Sequence, residues 1–69
     1  MEMTTPTYPD VEVELTGVDG NAFVLIGTVA NAIRREISSE AASRFSSEAM
    51  RQESYDEVLQ FIMNTVEVS

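Results

Sequence analysis

Residues 11–16 alternate: Val11, Val13 and Leu15 are apolar, while Glu12, Glu14 and Thr16 are polar. A period of two marks a strand with one buried face, and Gly17 ends it. From Ala22 the period lengthens. Phe23, Ile26, Ala30, Ile33 and Ile37 recur at spacings of three and four, with Ala22, Leu25, Val29 and Ala32 as a second stripe beside them. This predicts a helix with an unusually wide apolar face and Phe23 as its first buried aromatic. Arg34 and Arg35 fall in its last turn, where cations suit the helix dipole. Gly27 lies mid-helix at a cost of about 1 kcal/mol relative to alanine, so a close approach by another helix or strand is expected there.

Ser38 or Ser39 can cap a second helix. Its stripe is thin: Ala42, Phe45 and Ala49, extended by Ala41 and Met50, and it should stop around Arg51 to Glu53. The run SYDE, residues 54–57, has the serine-to-glutamate spacing of a capping box and an acidic first turn. A third helix follows, with Val58, Leu59, Ile62 and Met63 inward and Tyr55 and Phe61 at its flanks. Val66, Glu67 and Val68 alternate again, a short last strand whose natural partner is VEVEL.

The expected fold is therefore α+β: strand, three helices, strand, with a short two-stranded sheet packed on the helices. Residues 1–10, rich in Thr and Pro, read as a flexible arm, and 11–69 as a single compact domain. If the strands pair, Glu12, Glu14 and Glu67 share the outer face of the sheet, where like charges repel. A two-stranded sheet is marginal alone. Pairing of sheet edges between subunits, or contact through the wide first helix, would repair this, so a homodimer is expected.

The turn GVDGNAF joins the two periods. It lacks the lysine and Ser/Thr of a phosphate loop and the regularly spaced oxygen ligands of a calcium loop. Gly17 and Gly20 supply backbone freedom, and Asp19 or Asn21 caps the helix. Its free amides leave a small-anion site as a minor alternative.

Composition narrows the chemistry. With no cysteine, histidine or lysine among 69 residues, the usual bases, nucleophiles and thiolate or imidazole metal ligands are missing. No catalytic residue, cofactor or metal site is expected, and the chain is not expected to be an enzyme. No run reaches the ~18 apolar residues of a membrane span, and the polar start has no signal-peptide pattern, so a cytoplasmic location is expected. Twelve acidic residues against four arginines give a net charge of −8. That opposes direct nucleic-acid binding, which needs a basic patch, and favours a basic protein partner. Solubility or adaptation to a salty cytoplasm would explain the same balance.

GxDGNAF, an apolar helix, YDxxL and a terminal VEV together resemble a family of short uncharacterised proteins carried by bacteriophages, prophages and other mobile elements. The resemblance rests on Asp19, Gly20, Asn21, Ala22 and Phe23, on Tyr55, Asp56 and Leu59, and on Val66, Glu67 and Val68. It covers most of residues 11–69. The family pattern has a glycine-containing link before YD; MRQES stands here instead, implying a longer second helix. No activity or site comes with the resemblance. By analogy of class, it implies a small acidic protein that binds a basic host or phage protein. Such a protein can inhibit a nucleic-acid-binding or defence (CRISPR-like) complex by placing carboxylates where phosphates would sit. The contact residues expected are Glu12, Glu14 and Glu67 on the sheet, and Glu53, Asp56 and Glu57 at the start of the third helix. The alternative is a structural or accessory homo-oligomer with no inhibitory role.

Overall fold

The computed structural model describes residues 6–15 and 21–68. Its elements are β1 (Tyr8–Val13), α1 (Ala22–Glu36), α2 (Ser39–Met50), α3 (Tyr55–Thr65) and β2 (Val66–Val68). The α+β order of strand, three helices and strand is as the periodicity predicts. β1 and β2 form a two-stranded parallel sheet, with Tyr8 opposite Val66, Glu12 opposite Glu67 and Val13 opposite Val68. One face of the sheet packs on the helices: Val11, Val13 and Val66 are buried there.

β1 begins three residues earlier than Val11 and ends before Leu15, so Tyr8, Pro9 and Asp10 belong to the strand and not to an arm. Residues 1–5 lie outside the described residues. The register explains how a proline fits. It is irregular between Tyr8 and Glu12, and proline, which has no N–H for the ladder, is tolerated at bulges and edges. The irregularity also lets Tyr8 pack against the same core as Val11 and Val13 despite their odd spacing. Just before the strand, the Thr7 amide donates to the Asn64 carbonyl at 3.1 Å, tying the chain to the end of α3.

Each helix starts on a side-chain cap. Asn21 Oδ1 accepts from the Phe23 amide at 2.8 Å, Ser38 Oγ from the Ala41 amide at 3.0 Å, and Ser54 Oγ from the Glu57 amide at 3.2 Å. These satisfy amides that the helices leave without an internal acceptor. Glu57 Oε1 completes the last cap by accepting from the Glu53 amide at 3.0 Å, one residue beyond the usual box. Gly17, Asp19 and Gly20 lie outside the described residues. α2 ends at Met50, one residue short of the expected stop at Arg51 to Glu53, and without a glycine. Arg51 closes it in right-handed geometry, with φ −87° and ψ −10°, and the Gln52 side chain donates to the Glu48 carbonyl at 3.1 Å.

The core forms where α1 meets α2, α3 and β1. Leu25, Ile26, Val29, Ala30, Ala32 and Ile33 are all buried, so both stripes of α1 are used inside one protomer. Ala42, Phe45 and Ala49 of α2 and Val58 and Ile62 of α3 complete it. The Phe45 and Phe61 rings stack, with centroids 5.4 Å apart and planes 9° apart. Thr65 is buried, and its hydroxyl donates to the Phe61 carbonyl at 2.7 Å.

Several apolar positions do not go inside. Phe23 is 65% exposed, and Ile37, Met50 and Met63 are exposed as well. Phe23 lies about 60° round the helix from Ile26, at the margin of the buried face and on the first turn. Gly27 is exposed, and a Cβ built there meets nothing within 4 Å. No neighbour approaches it, so the expected close contact is absent within the described residues.

Two outcomes follow for stability. Gly27→Ala should stabilise by about 0.5–1 kcal/mol, since it removes backbone entropy from the unfolded chain without a clash. Phe45→Ala should destabilise by about 3–5 kcal/mol, through the cavity and the lost ring stack. Urea denaturation followed by far-ultraviolet circular dichroism measures both.

Candidate functional site

The structure separates the six expected contact residues into two groups. Glu12 and Glu67 are directly opposite each other across the sheet and both exposed. Adjacent strands run about 4.8 Å apart, so the pair concentrates charge on the solvent face. Glu14 is exposed too, but lies beyond the end of β1. It shares a depression of about 300 Å³ with Glu12 and with Thr28, Asn31 and Arg35 of α1. One cation thus sits beside the acidic sheet, which the linear pattern does not reveal. Among the described residues the ion pairs are Arg44–Glu40 at 3.3 Å and Arg51–Glu48 at 3.4 Å. None of them involves Glu12, Glu14 or Glu67.

Glu53, Asp56 and Glu57 are all exposed around the start of α3. Their roles differ. Glu57 is held by its cap on the Glu53 amide, so its carboxylate has a structural task as well as a charge. Because α3 runs straight into β2, these acids and Glu67 lie at opposite ends of an eleven-residue helix, about 16 Å long. The two groups are separate faces.

A third feature was not expected. Phe23, Met50 and Tyr55, which are 65%, 57% and 41% exposed, border one cleft of about 260 Å³. They come from the start of α1, the end of α2 and the start of α3. Buried Ile26, Ala49 and Val58 also line it, and Glu53 is its one charged lining residue. Phe23 of the NAF stretch and Tyr55 of the YD stretch, both noted in the sequence, meet here. The linear pattern places Phe23 on a core stripe and Met50 and Tyr55 at the margins of theirs, and gives no sign that the three meet.

Among the described residues no three acidic side chains converge as a metal-binding group. Every buried side-chain nitrogen or oxygen there has a hydrogen-bond partner. No described helix is long and apolar enough to cross a membrane. A scan against protein-family models, a search of curated proteins and a search of solved structures each return no match.

Placing opposite charge across the strands should relieve the sheet. Glu12→Lys is expected to raise the melting midpoint at low ionic strength. The gain should vanish in ~1 M salt, where the Debye length is about 3 Å. Thermal unfolding at both salt concentrations checks this.

Proposed function

We propose that the chain is a small acidic interaction protein, of the kind carried by phages and mobile elements, that binds a basic protein. The intended partner is a nucleic-acid-binding or defence complex, which the protein blocks by offering carboxylates in place of phosphates. The observation that supports this best is Glu12 directly opposite Glu67, both in solvent and outside any ion pair among the described residues. Like charges in that position weaken a sheet, and a cationic partner turns the cost into a gain. Tyr8, Val11, Val13 and Val66 on the other face hold the pair in place. No catalytic step belongs to this reading.

A second reading has its own observation. The sheet has only two strands, so each keeps an edge that a second copy can extend. Homo-oligomerisation through those edges would make the protein a structural accessory. The wide face of α1 is a poorer dimer surface than its sequence suggests, because it is spent within the protomer.

Affinity capture from bacterial lysate at low salt, followed by a displacement assay, separates the readings. The wild type is expected to retain a basic nucleic-acid-binding protein and to release duplex DNA from it. The variant Glu12→Gln/Glu14→Gln/Glu67→Gln should do both poorly, and added salt should slow association steeply. Capture that the triple substitution leaves intact, or a partner that keeps its DNA, would defeat phosphate mimicry. A concentration-dependent dimer in sedimentation, with no retained partner, would favour the structural reading.

A further inference from the structure

We propose that the cleft bordered by Phe23, Met50 and Tyr55 is a docking site for a basic segment of a partner protein that inserts one apolar side chain. The proposal rests on the reading above that the partner is basic, and adds a second contact at the far end of α3. Three side chains from three helices leave apolar surface in water at one place, whereas scattered exposed apolar residues need no explanation. The volume, about 260 Å³, falls just below the ~300–1,000 Å³ of small-molecule pockets. It suits a single anchoring side chain.

Charge decides what carries the anchor. Glu53 lines the cleft, and Asp56 and Glu57 follow Tyr55 in the first turn of α3. The nearest arginine in sequence, Arg51, is paired with Glu48. The starts of α1 and α3 each bring about half a positive charge. Glu53 is the one carboxylate in the lining, and with Asp56 and Glu57 beside it in the first turn of α3 there are three carboxylates against roughly one positive charge, so the α3 side of the cleft is negative. A second copy of this chain would bring an identical negative side and be repelled. A segment with lysine or arginine flanking an apolar residue meets both features: charge speeds encounter, and the buried anchor slows release.

Three synthetic helical peptides serve as probes: Leu/Lys, Ser/Lys and Leu/Glu. Binding is followed by nuclear magnetic resonance and by fluorescence titration. The Leu/Lys peptide is expected to shift the amide signals of Phe23, Met50 and Tyr55, and the Leu/Glu peptide is expected not to bind. Phe23→Ser/Met50→Ser alters exposed side chains and should keep the fold by circular dichroism. It should weaken the Leu/Lys peptide about tenfold or more, while leaving any Ser/Lys binding unchanged. If both basic peptides shift only the signals around Glu12 and Glu67, the cleft proposal falls and the proposed function stands. Failure of both basic peptides to bind anywhere would remove both. Equal binding of the Leu/Glu peptide would overturn the basic character of the occupant. So would self-association that the double substitution abolishes, since the occupant would then be a second copy.

Discussion

The parallel pairing of β1 with β2 is the constraint on which the rest of the molecule depends. Parallel neighbours cannot be joined by a hairpin and need a crossover of a dozen residues or more. Here the intervening chain supplies three helices, and they cover one face of the sheet. β2 has no loop before it: Thr65 is the last residue of α3 and Val66 the first of β2, with the Val66 amide still bonded to the Ile62 carbonyl. The start of β2 is therefore fixed by the end of α3. That coupling sends the start of α3, with its acids and the apolar cleft, to the end of the molecule away from Glu67.

A two-stranded sheet has little stability of its own, so the helices must supply it. The most deeply buried large side chains are Val11, Val29, Ile33, Ile62 and Val66. They come from β1, α1, α3 and β2, and they bind the ends of the chain to its middle. Alanine at 30, 32, 42 and 49, all buried, keeps α1 and α2 close. With no disulfide possible, this packing carries the stability of a domain small enough to be marginal.

The surface combines two kinds of incompletely satisfied chemistry. The sheet face and the start of α3 carry carboxylates, and the cleft exposes aromatic and methionine surface beside one of those groups. Long-range charge attracts a basic partner and sets its encounter rate, whereas desolvated apolar anchors usually hold most of the binding energy. A surface with only the acids would be a weak and salt-limited binder. In the proposed reading, the neighbouring apolar cleft is what supplies the holding contact that the acids lack.

Local signals in the sequence carry a long way in this chain. The change of period between Leu15 and Ala22, the caps at Asn21, Ser38 and Ser54, and the stop after Met50 all depend on residues within one turn of each other. Such signals hold wherever the element is finally packed. The acids could also be assigned to exposed positions, because ionised carboxylates are rarely buried without a partner. What lay beyond reach depended on distant neighbours. β1 extends back to Tyr8 because the core accepts that ring and an irregular register accommodates Pro9. Phe23 stays in water, although its stripe reads as core, because the elements around the first turn of α1 leave a cleft there. The parallel direction, the register that sets Glu12 directly opposite Glu67 and the meeting of Phe23 with Tyr55 are likewise tertiary. Periodicity and capping are properties of a segment, whereas burial and pairing are properties of what the rest of the chain brings to it.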